Sequence, residues 1–163
     1  MMIGNKMEDF KVPLRIMSNF RNISLDKFND RLYLQKLGYL IQKIQKDNAN
    51  SFSWYVRGPY SSTLASTLFF HEEKGTYKKP TKLSESEEIT KKKIYELVGR
   101  KIKNPFSLEL YASLWYLMLG NKISSKEKEA IISIMRKEKP YFTKKDIETT
   151  LDKISRFRTK YSL

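Results

Sequence analysis

Gln35, Lys36, Gln42 and Lys43 form the polar side of one helical stretch, and amides beside cations suit the reading of nucleic acid. Glutamine can read adenine through two hydrogen bonds, and lysine contacts phosphate or guanine. The same residues would equally serve as a solvated helix face. A second group, Lys74, Tyr77, Lys78, Lys79 and Lys82, is the densest basic run and contains an aromatic. Such a loop could lie as a wing along a phosphate backbone, where lysine supplies sequence-independent affinity. It could also be a plain surface loop. Arg57, next to Gly58-Pro59, could grip a phosphate or carboxylate of a partner, or pair internally with Glu72 or Glu109. Trp54, Tyr55 and Tyr60 could stack on bases. A strand more often buries one row of its aromatics, leaving Tyr60 as the one expected to be exposed.

No catalytic constellation accompanies these residues. The chain has no cysteine, which excludes disulfides, thiolate zinc sites and cysteine nucleophiles. His71 is the single histidine, so a catalytic zinc is not expected. His71-Glu72-Glu73 lacks partners at ligand spacing and reads as a helix end. No paired-carboxylate, phosphate-loop or triad pattern stands out. The sequence therefore points to a non-enzymatic protein with no metal and no cofactor.

The net charge of +14 over 163 residues is spread along the chain and not gathered in a tail. It favours a folded basic face and a polyanionic partner, with duplex DNA first, then RNA or an acidic protein. A lysine-rich composition can also follow from genome base bias or a hot habitat. At 40% hydrophobic residues the chain is no disordered basic arm. No run approaches a membrane span and the N-terminus has no apolar signal core, so a cytoplasmic protein without a membrane partner is expected.

The elements that must position these residues are mainly helical, within one domain of 163 residues. Residues 7–20 read as a first helix interrupted or restarted at Pro13, and Ser24 as the start of a short second one. The third runs from Arg31 to Lys46, with Tyr33, Leu37, Leu40, Ile41 and Ile44 on one face. After a polar turn over 47–50 comes an aromatic strand, Phe52–Val56. It should end at Gly58-Pro59, where glycine permits a positive φ and proline removes a donor. A helix capped by Ser61 or Ser62 follows to Phe70, then a loop or short hairpin over 74–82. Ser84 with Glu87 is a capping box for a helix reaching Val98. Phe106–Leu119 is apolar nearly all round and should be the most buried helix, ended by Gly120. Ser124 and Thr143 should cap two more, the last placing Ile147, Leu151, Ile154 and Arg158 on one stripe.

The order LQKL (34–37), GPYS (58–61) and LEL (108–110) resembles the YwgA-like proteins and, more distantly, the Panacea antitoxin domain, prokaryotic and archaeal groups. The resemblance covers about residues 30–120, leaving 121–163 as a basic helical extension. It implies a winged-helix-like helical regulator or antitoxin-type interaction protein. Gly38, where the group has a bulky residue, and the basic C-terminus depart from the pattern. The combined expectation is a DNA-binding regulator or accessory factor of a mobile element or defence locus. If it binds an operator as a homodimer, half-site spacing follows its two-fold axis. The alternatives are an antitoxin-like adaptor for an acidic protein and an RNA- or ribosome-associated factor.

Overall fold

The computed structural model describes residues 10–47 and 52–163, and is mainly helical with one two-stranded antiparallel sheet. Helix α1 is Lys11–Ser18 and α2 is Phe28–Ile44. The hairpin β1 (Ser53–Tyr55) and β2 (Gly58–Tyr60) leads into α3, Ser62–Lys74. Helix α4 (Glu85–Val98) runs through a 3₁₀ turn, Gly99–Lys103, to α5, Pro105–Leu117. Helices α6 (Ser125–Glu138) and α7 (Lys144–Tyr161) complete the order. No described helix is long and apolar enough to cross a membrane.

Local sequence accounts for most of these boundaries. Ser61, Ser84, Ser124 and Thr143 each accept a hydrogen bond from the backbone NH three residues on, which satisfies one of the donors left free at a helix start. Asn104 caps α5, with Pro105 at its first position. Gly75 ends α3 in the left-handed conformation at φ 72. Glu87 does not complete its capping box; its carboxylate instead takes Arg15 of α1 at 2.7 Å.

Several expectations are corrected. Ser24 starts no helix: α2 begins at Phe28 and runs unbroken to Ile44. Of the two readings of Pro13, a break or a fresh start, the start is the one found: Pro13 lies in the first turn of α1, where its missing donor costs nothing. Gly58 does take a positive φ, 86, but Gly58-Pro59-Tyr60 forms the second strand of a hairpin. Helix α3 continues past Phe70 to Lys74, and residues 76–84 hold no strand. Helix α5 stops at Leu117, and Met118 rather than Gly120 is its cap. The expected start of the first helix at 7–9 and most of the turn at 47–50 fall outside the described residues.

Helices α2 and α5 pack against each other at the centre of a single apolar core. Leu37, Leu40 and Ile41 of α2 and Leu108, Ala112 and Leu114 of α5 are fully buried. Helix α7 lays Ile147, Leu151 and Ile154 on α5, and Ile131 and Met135 of α6 join the same cluster. The C-terminal helices thus share the core with residues 30–120. Burial of α5 is incomplete: Phe106 is 46% exposed, and Leu119, just beyond the helix, is 92% exposed.

Candidate functional site

Three short sequence segments converge where α2, the hairpin and α5 meet. The Gln35 side chain makes a paired amide contact with Ser61: Nε2 donates to the Ser61 carbonyl and the Ser61 NH donates to Oε1, both at 2.9 Å. One turn position on, Lys36 Nζ donates to the Pro59 carbonyl at 2.5 Å. Helix α2 thereby holds the backbone where β2 turns into α3, and both residues are buried. The order of LQKL and GPYS in the chain has a physical basis, since residues of one satisfy backbone groups of the other.

Glu109 supplies the third segment. Its carboxylate is wholly buried and receives Arg57 through Nε at 2.9 Å and Nη2 at 2.7 Å. Tyr141 OH donates to the same carboxylate. Lys139 Nζ lies 3.7 Å from it and donates to the Val56 carbonyl at the hairpin turn. The Arg57 guanidinium is further enclosed by the rings of Phe28, Phe106 and Tyr141, at 5.6, 5.0 and 5.3 Å. Hydrogen bonding to Glu109 raises the Arg57 pKa. Burial pushes Lys36 down to about 7; Glu109 opposes this, while Lys139 and Arg57 add to it. Burial also lowers Lys139. One carboxylate thus faces three cations, and the lysines absorb the mismatch.

Outside this network opens a cleft of about 390 Å³ between α2, the hairpin and α3. Leu25, Leu32, Leu68 and Ala65 give it apolar walls, with Gln35, Lys36 and Arg57 as polar points. Its rim carries exposed apolar side chains: Phe28, Tyr55, Val56 and Phe69 are 53, 58, 80 and 56% exposed. Phe106 and Tyr141 extend this surface past Arg57. A largely apolar concavity with few convergent polar groups, one of shifted pKa, has the character of a binding site.

The sequence-derived candidates divide sharply. Gln35, Lys36 and Gln42 are buried and Lys43 is half-buried over the Tyr39 ring at 5.5 Å, so these four do not form the exposed helix face expected of them. The amphipathic pattern misleads here because the polar side of α2 is covered too, at Gln35 and Lys36 by the hairpin and the start of α3. Of the two fates foreseen for Arg57, the pairing with Glu109 is the one found. Tyr60 is half-buried in the cleft wall, while Tyr55 is the exposed aromatic, reversing the expectation. Trp54 is half-buried and donates to Glu138 at 2.7 Å. Lys74, Lys78, Lys79 and Lys82 are exposed. Tyr77 is half-buried against His71, ring centroids 4.9 Å apart, at φ 60. Lys74 ends α3, about 7.5 Å of helix rise beyond Phe69, the last α3 residue of the cleft, and the others lie in a loop without strands. A hairpin wing at 74–82 is therefore corrected to a helix end and an irregular loop.

Glu109, Lys139 and Tyr141 complete the site and carried no functional assignment from sequence. Glu109 had a readable signal, as the lone charge in an otherwise apolar helix. Lys139 and Tyr141 had none. No protein-family model, curated protein or solved structure matches the chain.

Proposed function

We propose that the chain is a non-enzymatic, antitoxin-like adaptor that binds a protein partner, taking an apolar residue of that partner into the cleft between α2, the hairpin and α3. The observation that carries this reading is the ring of exposed apolar side chains, Phe28, Tyr55, Val56 and Phe69, around a concave apolar floor. Aromatic anchors in desolvated pockets are the usual centres of protein interfaces. The captured segment is acidic around its apolar residue. Arg31 lines the cleft and, among the described residues, bonds only backbone carbonyls, Leu25 O at 2.6 Å and Asp26 O at 3.4 Å. The net charge of +14 steers an acidic partner toward the whole surface.

Selection from a displayed random-peptide library tests this. Wild-type protein should enrich peptides with an aromatic or large aliphatic residue flanked by Asp or Glu. Ala65→Glu, which places a carboxylate in the cleft wall, should abolish their binding. Absence of enrichment, or peptides that bind this variant equally well, would remove the adaptor reading.

A second reading, nucleic-acid binding by a winged-helix-like regulator, retains one support. Lys78, Lys79 and Lys82 are exposed and, among the described residues, in no ion pair. The Ser53–Tyr60 hairpin would then be its wing. With the amides of α2 buried, such binding would follow the phosphate backbone without base preference.

A further inference from the structure

A second hollow, of about 520 Å³, opens beside the C-terminal ends of α2, α5 and α7. It is separate from the cleft: Lys43, which lines it, stands two helical turns along α2 from Gln35, about 12 Å of rise. Three cations line it, Lys43, Lys46 and Arg158, against one carboxylate, Asp47. Its apolar side is formed by Trp115, Tyr116 and Leu119, the last two 37 and 92% exposed.

Arg158 is the unusual group. It is 9% exposed, with its guanidinium 5.2 Å from the Trp115 ring. Nε donates to the Leu163 carbonyl at 3.3 Å, but Nη1 is buried without any hydrogen-bond partner. No ion pair joins Arg158 to a carboxylate among the described residues. Burial lowers its pKa from the ordinary arginine value, with Tyr39 and Glu127 opposing. A buried cation outside any ion pair and a donor lacking an acceptor are both costly. Lys46 adds a second local cost, holding a left-handed backbone at φ 56 where its side chain joins the hollow. Non-glycine residues so held cluster at ligand sites.

We infer that this hollow binds a small organic phosphate of the nucleoside monophosphate class, its phosphate held by Arg158, Lys43 and Lys46 and its flat apolar part laid against Tyr116 and Leu119. Arginine suits the phosphate because its fork of donors matches the oxygens. The volume lies in the range of small-ligand sites, and the exposed apolar wall distinguishes an organic phosphate from a bare ion. An anion attracted by the two lysines would in turn attract the Arg158 guanidinium, giving Nη1 the acceptor it lacks.

Calorimetric titration of the whole protein at low salt, with AMP, adenosine and inorganic phosphate as separate probes, tests the inference. AMP should bind saturably, tighter than inorganic phosphate by about tenfold or more, and adenosine should not bind measurably. Arg158→Gln should weaken AMP at least about tenfold, the loss of a hydrogen bond to a charged group. Lys43→Gln, at a half-buried position without an ion pair, should weaken it several-fold with the melting temperature unchanged, which guards against an Arg158 variant that fails to fold. AMP should also perturb the fluorescence of Trp115, which lies under Arg158. Failure of AMP to bind at millimolar concentration, equal affinity for inorganic phosphate, or AMP affinity unaltered in Lys43→Gln would each overturn the inference. Ala65→Glu blocks the cleft and should leave AMP binding intact, so this site and the adaptor reading fail separately.

Discussion

Lys36 and Lys78 carry the same ammonium group, and from sequence both are candidates for contact with nucleic acid. Their surroundings are opposite. Lys36 is sealed under the hairpin, bonded to the Pro59 carbonyl and shifted toward neutrality by burial. Lys78, with Lys79 and Lys82, stands in solvent on an irregular loop. The same side chain is a structural prop in one place and a source of surface potential in the other. What separates them is the supply of unsatisfied backbone acceptors. The hairpin turn offers the carbonyls of Val56, Pro59 and Ser61 to the interior, and polar side chains from α2 and from beyond α6 are drawn in to meet them. The loop at 76–84 is tied to α1 at Thr81, whose carbonyl accepts from Asn19 at 2.9 Å, but its lysines Lys78, Lys79 and Lys82 stay in solvent.

The contrast breaks first at Glu109. Glu109→Gln removes the only carboxylate in an ion pair with Arg57 and Lys139 among the described residues. Leaving buried cations uncompensated should cost about 3–5 kcal/mol, measured by urea unfolding. A loss under about 1 kcal/mol would mean that the network is not the hub of the site.

Gly58→Val comes next. A Cβ at Gly58 would stand 2.3 Å from Ser113 Oγ, on a backbone at φ +86. Strain of this kind costs about 1–3 kcal/mol, so the urea midpoint should fall by a corresponding amount. An unchanged midpoint would show that the hairpin can move away from α5 without penalty.

Lys36 sharpens the comparison through pH. Its folded-state pKa near 7 lies below the ordinary 10.5, so between these values the unfolded chain binds the extra proton. Stability from this group therefore rises with pH across that window, by at most about 1.4 kcal/mol per unit. It is lowest below pH 7, where the buried amine is charged. Lys36→Met should flatten the rise in a pH series of unfolding curves. Persistence of the full slope in that variant would assign it elsewhere.

The smallest effect is expected at the loop. Replacing Lys78, Lys79 and Lys82 with alanine should alter stability within about 0.5 kcal/mol each. Any duplex binding seen at low salt should weaken equally for all sequences, with the salt slope falling by about 0.9 per lost phosphate contact. A site preference erased by Gln35→Ala in a folded protein would restore base reading to α2.

Helix starts were legible because caps are local: Ser84, Ser124 and Thr143 act within three residues of themselves. The burial of Ile147, Leu151, Ile154 and Arg158 was legible from periodicity, as was the need for a positive φ at Gly58. The cleft was not. Its floor depends on Gln35 reaching Ser61 and on Glu109 reaching Arg57, pairings across 26 and 52 residues; the second was open from sequence only as one of several fates of Arg57, and the first left no trace. Polarity signalled exposure for Gln35 and Lys36, and only the hidden backbone acceptors reverse that inference. Apolarity signalled burial for Phe106 and Leu119, which lie at and just beyond the ends of α5 and are 46 and 92% exposed. The hollow at Arg158 was invisible, since it joins the ends of three helices far apart in sequence.

The central claim is that recognition belongs to the cleft and its hairpin rim, while the polar side of α2 supports them from within. Hydrogen exchange of wild-type protein, with and without a peptide selected on it, tests this most directly. The account predicts slowed exchange at the hairpin Ser53–Tyr60 and the first turns of α3, with residues 74–82 unchanged. Protection confined to residues 74–82, or none at saturating peptide, would contradict it.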